Sequence, residues 1–293
     1  MNIKFVKLVF FVMLTMSAFA ANSFLARLAI SNNELGPASF SFIRLLSGTI
    51  ILIIIISLRS GLNLIWKTRP NKKSILGLSL YMLGFHYAYY YLEAGIGSII
   101  LFGGVQLVMF FSAIISKENP TFYNWFGMIM AMLGILILFF PKDLSIAQPT
   151  SGVILMILAA VGWGIYSISG KDSKDPIAST MSNFIFTLPI VTLNLIIHPD
   201  IFKLSILGVF LAICSGAIMS ALGYSLWYTI LPLLEKTVAS LVQLFVPIIA
   251  LILSIIFLSE RFTYLHFLSS ILIIGGVSVG IFFDRINKDI ITK

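Results

Sequence analysis

The sequence predicts an all-α integral membrane protein whose ten transmembrane helices form two inverted five-helix repeats. Three observations predict it. Apolar residues make up 59% of the chain and charged residues only 10%, at a mean hydropathy of +1.05; the lysines and arginines collect in alternate loops; and the second half repeats the first at a nearly constant offset. Soluble domains carry roughly a quarter charged residues. A hydrocarbon core about 30 Å thick takes roughly 20 apolar residues per helix, so 293 residues are filled by ten spans and short loops. No length is left for a nucleotide-binding module.

Apolar runs between charged, Pro or Asn/Gly-rich breaks place the spans at 5–29, 37–58, 74–93, 97–116, 122–140, 150–170, 176–197, 204–231, 237–258 and 263–283. The first opens like a secretory leader, with Lys4 and Lys7, the run Leu8 to Met16, and Ala18-Phe19-Ala20. Apolar character continues through Phe24 and Leu25, and the repeat requires this segment, so it reads as a membrane helix. Pro189 and Pro247 interrupt the seventh and ninth spans, where kinks or hinges are expected. Gly127 with Gly134, and Gly276 with Gly280, give the fifth and tenth spans small faces suited to close contact, either between the repeats or between two subunits.

Charge sets the orientation. With the N-terminus inside, fourteen of the nineteen basic residues lie in inner segments: Lys4, Lys7, Arg59, Lys67, Arg69, Lys72, Lys73, Lys117, Lys171, Lys174, Lys236, Arg285, Lys288 and Lys293. Arg27, Lys142, Lys203 and Arg261 fall outside and Arg44 within the second span. The positive-inside rule then places both termini in the cytoplasm of a cell (inner) membrane protein. The net charge of +8 is read as this topology signal rather than as a nucleic-acid footprint. The one cysteine, Cys214, lies in an apolar run and has no intrachain partner for a disulfide or a metal cluster.

The halves superimpose in order. Glu118 pairs with Glu260 and Gly134 with Gly276 at an offset of 142; Leu83-Gly84-Phe85 pairs with Leu222-Gly223-Tyr224 at 139; Phe19 and Arg27 face Trp163 and Lys171 at 144; Pro37 faces Pro176 at 139. The repeats are expected at 1–141 and 150–285. Five spans is an odd number, so the second copy enters the membrane with opposite orientation, the arrangement of many secondary transporters. Glu118 and Glu260 then lie at opposite faces, as loop or cap residues.

Leu222-Gly223-Tyr224-Ser225-Leu226-Trp227-Tyr228, Pro247, Ser259-Glu260-Arg261, Gly275-Gly276 and, in the first half, Phe42-Ile43-Arg44 resemble the EamA domain of the drug/metabolite transporter superfamily. The resemblance spans nearly the whole chain as two tandem domains. It departs at Phe19-Ala20, where the family has Trp-Gly, and at Val105, opposite Pro247. It implies a ten-helix carrier for amino acids, nucleobases, vitamins or drugs, often an exporter.

Polar side chains at membrane depth are the default site candidates. Asn22, Arg44 and His86 each lie about seven residues, or 10 Å, below the outer surface. His86, Tyr90 and Glu93 share one helical stripe. At the equivalent depth from the inner side stand Tyr166, Asn183 and Tyr224, with Trp163 and Trp227 near them; Gln106 and Gln243 supply amides in the fourth and ninth spans. Arg44 fits two roles: a guanidinium fork for a substrate carboxylate or phosphate, or half of an Arg44–Glu93 ion pair locking helices. His86 fits a proton shuttle or a hydrogen bond to a carbonyl. Arg44 faces Asn183 in the repeat and His86 faces Ser225, so positive charge is expected in the outer half.

Enzyme chemistry finds no support: HExxH, GxSxG and cysteine clusters are absent, and the run from Gly164 to Lys171 has five residues where a phosphate loop needs four and continues into Asp172. The expected function is a secondary-active carrier of a small organic molecule, working by alternating access as exporter or exchanger, as monomer or homodimer, without cofactor and with a proton as a possible coupling ion. A passive channel is the alternative, and a membrane-embedded enzyme a weaker one.

Overall fold

In an apolar solvent the backbone has only itself to bond, so long runs of Ile, Leu, Phe and Met close into helices. The structure is a computed structural model and describes residues 3–61, 68, 70–92, 94–117, 120–139, 150–200, 204–258, 264, 268, 271–276 and 278–280. Among the described residues every regular element is helical. In chain order these are α1 (Ile3–Ser31), α2 (Pro37–Ser60), α3 (Lys72–Tyr91), α4 (Ala94–Ile115), α5 (Phe122–Phe139), α6 (Thr150–Gly170) and α7 (Pro176–Ile197). They are followed by α8 (Ile206–Leu233), the broken α9 (Lys236–Val242 and Phe245–Leu258) and α10 (Ile271–Gly280). Helices α1, α2, α6, α7 and α8 are long and apolar enough to cross a membrane, and α4, α9 and α10 contain shorter apolar helices. Helix α1 runs unbroken through Ala18-Phe19-Ala20, with Phe19 and Ala20 in the core. Glu93, Glu118, Glu260 and Arg261 lie outside the described residues.

Helix starts follow capping chemistry. Pro37 and Pro176 occupy first-turn positions, where a missing N–H costs nothing. Asp175 caps α7 by accepting from Ala178 N at 3.1 Å, Asn71 caps α3 by accepting from Lys73 N and Ser74 N, and Ser205 caps α8 through Gly208 N. The cap of α2 is not local. Its first turn donates from Ala38 N (2.7 Å) and Ser39 N (3.0 Å) to Asp200, which stands beyond the end of α7. A carboxylate at a helix N-terminus is favoured by the dipole, and here it ties the start of α2 to the segment that follows α7.

Two spans depart from regular α-helix. Residues Cys214–Leu222 in the middle of α8 form a π-helical segment. The ninth span breaks at Gln243–Leu244, where Val246 N bonds back only three residues, to the Gln243 carbonyl at 3.1 Å. That carbonyl lies four residues before Pro247, which has no N–H to offer it. Pro189, by contrast, sits inside a helix that continues past it.

The packing has an internal rule. Helix α3 packs on α6 as α8 packs on α1; α4 packs on α6 as α9 packs on α1; α2 touches α8 as α7 touches α3; and α2 meets α7, and α4 meets α9, directly. Exchanging each helix with the one five places along maps these pairs onto one another. Glycines allow the closest approaches. A Cβ at Gly77 would stand 2.6 Å from the Gly162 carbonyl, and one at Gly162 would stand 2.5 Å from that of Gly77. Gly127 and Gly276 relate in the same reciprocal way between α5 and α10, so these small faces pack one half of the chain on the other.

Gly162→Ala is therefore expected to overpack the α3–α6 contact and destabilise the protein by about 1–3 kcal/mol, visible as a lowered thermal midpoint in detergent. Gly103→Ala, whose nearest neighbour would be Met132 Cε at 3.7 Å, should leave the midpoint unchanged.

Candidate functional site

Arg44 is the group around which the interior is organised. It is fully buried, and among the described residues it is the only Lys, Arg, Asp or Glu that is. No described carboxylate pairs with it. Its Nε donates to Ser220 Oγ on α8 at 2.8 Å, Nη1 faces His86 Nε2 on α3 at 3.0 Å, and Nη2 donates to Tyr224 OH at 2.6 Å and Tyr81 OH at 3.3 Å. Its Cζ lies 5.4–6.0 Å from the ring centroids of Phe85, Tyr81 and Tyr224, so neutral acceptors and aromatic faces share the cation.

An arginine has only donors, so His86 Nε2 must accept. The other ring nitrogen, Nδ1, lies 2.7 Å from the Met82 carbonyl, an acceptor only, and 2.7 Å from Ser41 Oγ. Nδ1 therefore carries the proton, and His86 is the neutral Nδ1–H tautomer. Ser41 Oγ in turn donates a hydrogen bond to the Pro37 carbonyl at 2.9 Å. On the far side, Ser220 Oγ donates to the Ser215 carbonyl and lies 3.3 Å from Asn22 Oδ1, which accepts from Ser215 Oγ at 2.6 Å. The network thus joins α1, α2, α3 and α8.

Aromatic rings close this network off from a cavity beside it. Trp163 packs on Tyr81 and Tyr224, with ring centroids 5.0 and 4.6 Å away, and Phe19 meets Trp163 edge-on at 4.9 Å. Tyr166 lies 5.8 Å from Tyr224 and stacks on Tyr228 at 4.8 Å, while Tyr228 OH donates to the Tyr166 carbonyl. Next to these rings opens a cavity of about 570 Å³, lined by Asn183 and Tyr228 and by the charged Lys72, Lys73, Asp172 and Lys174. At the opposite end Asp200 seals α2, Ser205 N donates to the Glu34 carbonyl, and Arg27 donates to the Tyr89 carbonyl.

The sequence candidates divide accordingly. Asn22, Arg44, His86 and Tyr224 meet in one network, and Trp163 and Tyr166 line it. Trp227 is buried but donates to Ser167 Oγ, one helix face away. Gln243 bridges helices, accepting from Trp163 Nε1 at 2.8 Å and turning its amide nitrogen to Met109. Gln106 is buried, and neither atom of its amide has a hydrogen-bond partner. Asn183 lines the cavity instead of lying beside Arg44. Tyr90 corrects the expected stripe. It is 53% exposed and packs edge-on against Tyr91, because the covered face of this last turn of α3 is the one that carries Tyr89 and Leu92, both fully buried, with Gly152 of α6 against Leu92. Glu93 lies outside the described residues. Sequence reasoning missed Ser41, Tyr81, Ser215 and Ser220; the helical spacings Ser41–Arg44 and Ser220–Tyr224 could have found two of them. Among the described residues there is no group of three or more His, Cys, Asp or Glu side chains able to hold a metal ion.

Comparison with known proteins gives a consistent picture. Residues 6–140 and 150–282 each match the EamA-like transporter family. An uncharacterised protein of Pseudomonas aeruginosa is 32% identical over 266 residues, covering 91% of each chain. A probable amino-acid metabolite efflux pump of Salmonella typhimurium is 21% identical over 210 residues, 67% of this chain and 70% of that one. A solved crystal structure, 17% identical, superimposes with a TM-score of 0.72 over 92% of this chain and 97% of its own. At that identity the likeness is one of fold.

The tyrosine layer is a barrier that can be removed. With Cys214 replaced by Ala, a Ser220→Cys thiol should resist a water-soluble maleimide, and adding Tyr166→Ala and Tyr228→Ala should make it react readily. A mass-spectrometric labelling time course measures both.

Proposed function

The chain belongs to the EamA-like transporter family, and from that premise we propose that it is a secondary-active carrier of small organic metabolites bearing a carboxylate. It works by alternating access, as exporter or exchanger, through ten transmembrane helices in two inverted five-helix repeats. The observation that carries this reading is the buried Arg44 guanidinium with no described carboxylate beside it. A cation taken out of water costs several kcal/mol unless paired. Phenol, imidazole and hydroxyl partners satisfy its hydrogens but not its charge, and a bound carboxylate would supply the missing charge in fork geometry. The rings of Trp163, Tyr81, Phe85 and Tyr224 suit the body of such a molecule.

The exchange rule in the helix packing is what an inverted repeat produces, and the cavity fits one end-state of a carrier. Lys72, Lys73 and Lys174 at its mouth belong to the basic loops, and the positive-inside rule supports a mouth on the cytoplasmic side of the cell membrane, with both termini on the same side. The cavity is then the approach for cytoplasmic substrate, the tyrosine layer the inner gate and the Asp200 cap part of the closed outer gate. The Salmonella relative's description as an amino-acid metabolite efflux pump makes amino acids the first class to try.

Proteoliposomes preloaded with labelled L-amino acids should show saturable, counterflow-stimulated exchange, with uracil, which has no carboxylate, not carried. Arg44→Ala should weaken apparent affinity about 10- to 100-fold, as loss of charge-assisted hydrogen bonds predicts, and Asn183→Ala by much less. Equal, negligible effects of the two substitutions in folded protein would refute the anchoring role of Arg44, and uptake that neither saturates nor shows counterflow would indicate a pore.

A further inference from the structure

We propose that His86 is a proton site coupled to Arg44, so that a carboxylate binding to Arg44 brings a proton onto His86 and the two are carried together. The inference rests on the reading of Arg44 as the substrate anchor and adds to it a coupling ion and the residue that takes it.

In the empty site, Nη1 of Arg44 occupies the His86 Nε2 lone pair at 3.0 Å, while Nδ1 already holds its proton against the Met82 carbonyl. A second proton has only Nε2 to go to. There it would face an arginine N–H, donor against donor, and place two buried cations in contact. Burial disfavours the imidazolium, and like charges in contact repel even at an effective dielectric of about 20, so burial and empty Arg44 together keep His86 neutral.

The other titratable or charged groups near His86 do not relieve this repulsion. They are Tyr81, Tyr87 and Tyr89 on α3 itself, Tyr224 on α8, Arg27 on α1, which donates to the Tyr89 carbonyl, and Asp200, whose carboxylate is taken up by Ala38 N, Ser39 N and Ser39 Oγ at the α2 cap. Helices α4 and α7 contain no titratable side chain, and α6 only Tyr166, which stacks on Tyr228. Asp200, held by these three donors, makes no bond to His86.

A carboxylate taking the Arg44 fork changes both terms. It draws Nη1 away from Nε2, and it cancels the guanidinium charge. A proton from water then forms an N–H bond at Nε2, and the imidazolium donates to the second face of the carboxylate. Guanidinium, carboxylate and imidazolium together hold one net positive charge, as the guanidinium alone does in the empty site, so these groups bury no added charge when the carboxylate and the proton enter together; the ammonium of an amino acid lies outside this balance and meets the aromatic faces. His86 is accordingly a proton-binding and positioning residue, and carriage of one carboxylate is accompanied by one proton in the same direction.

Two measurements test this. In nanodiscs with ¹⁵N-histidine, the His86 resonances, identified by their loss in His86→Gln, should show the neutral Nδ1–H tautomer at pH 6 in the unliganded wild type, and as pH is lowered the doubly protonated ring should appear at a higher pH in Arg44→Gln than in the wild type. Identical His86 titrations in the two proteins would overturn the coupling, whatever the substrate proves to be. In proteoliposomes with trapped pyranine and a clamped potential, an equimolar mixture of L-amino acids added outside should acidify the lumen as label enters, and His86→Gln should lose that proton signal. Amino-acid entry without acidification in the wild type would overturn the proposal while leaving the carrier reading intact; no entry at all would count against the amino-acid reading, with the nanodisc result still deciding the Arg44–His86 linkage.

Discussion

One buried guanidinium constrains the centre of this protein. Arg44 brings five N–H groups into an apolar interior, and every helix near it is placed to receive them. Helix α3 offers His86 and Tyr81, α8 offers Ser220 and Tyr224, and α1 contributes Asn22, which holds Ser215 and Ser220 in turn. The approach of α2 to α8 that these bonds require is possible because residue 216 is glycine. Any Cβ there would collide with the Arg44 carbonyl and with Ser47 Oγ. The packing beneath the site and the chemistry within it therefore have one cause.

The π-helical segment belongs to the same constraint. In a regular helix residues three or four apart share a face; with i→i+5 bonding, residues five apart come over one another. Ser215 and Ser220 are five apart, and Ser220 Oγ reaches back to the Ser215 carbonyl. Both can then meet Asn22 while Tyr224, one α-helical turn beyond Ser220, still meets Arg44. A regular α8 would turn one of the two serines away from the network.

This explains which parts were legible in the sequence. Hydropathy located the helices because membrane spans must be continuously apolar, and the depth of Asn22, Arg44 and His86 could be counted because rise per residue is constant in a helix. Orientation about the helix axis was less secure. Tyr90 shares a stripe with His86 in projection, yet in the last turn of α3 the covered face is that of Tyr89 and Leu92, and Tyr90 stays half exposed. Ser215 was invisible because α-helical periodicity was assumed where π geometry holds. Asp200 was invisible as a cap because it acts on a helix start more than 160 residues away in sequence. The break in α9, in contrast, follows from Pro247 once the carbonyl that loses its donor is identified as that of Gln243.

The two halves share a scaffold without sharing a site, and the difference is chemical. Packing of small residues depends on shape alone, so it survives divergence, and Gly77 with Gly162 and Gly127 with Gly276 keep it. Hydrogen bonds need specific atoms. Trp163 on α6 donates to Gln243 on α9; in the first half the corresponding residues are Phe19, which has no N–H, and Leu101, which has no amide, and Gln106, next to Val105 on α4, is left without a partner. A buried amide in that condition costs about 1–3 kcal/mol for each unmet group. The fold bears this cost on one side only, just as it holds Arg44 on one side only. A single carboxylate needs a single anchor, and a second buried cation across the pseudo-symmetric interface would repel the first through an interior with no described acid to separate them.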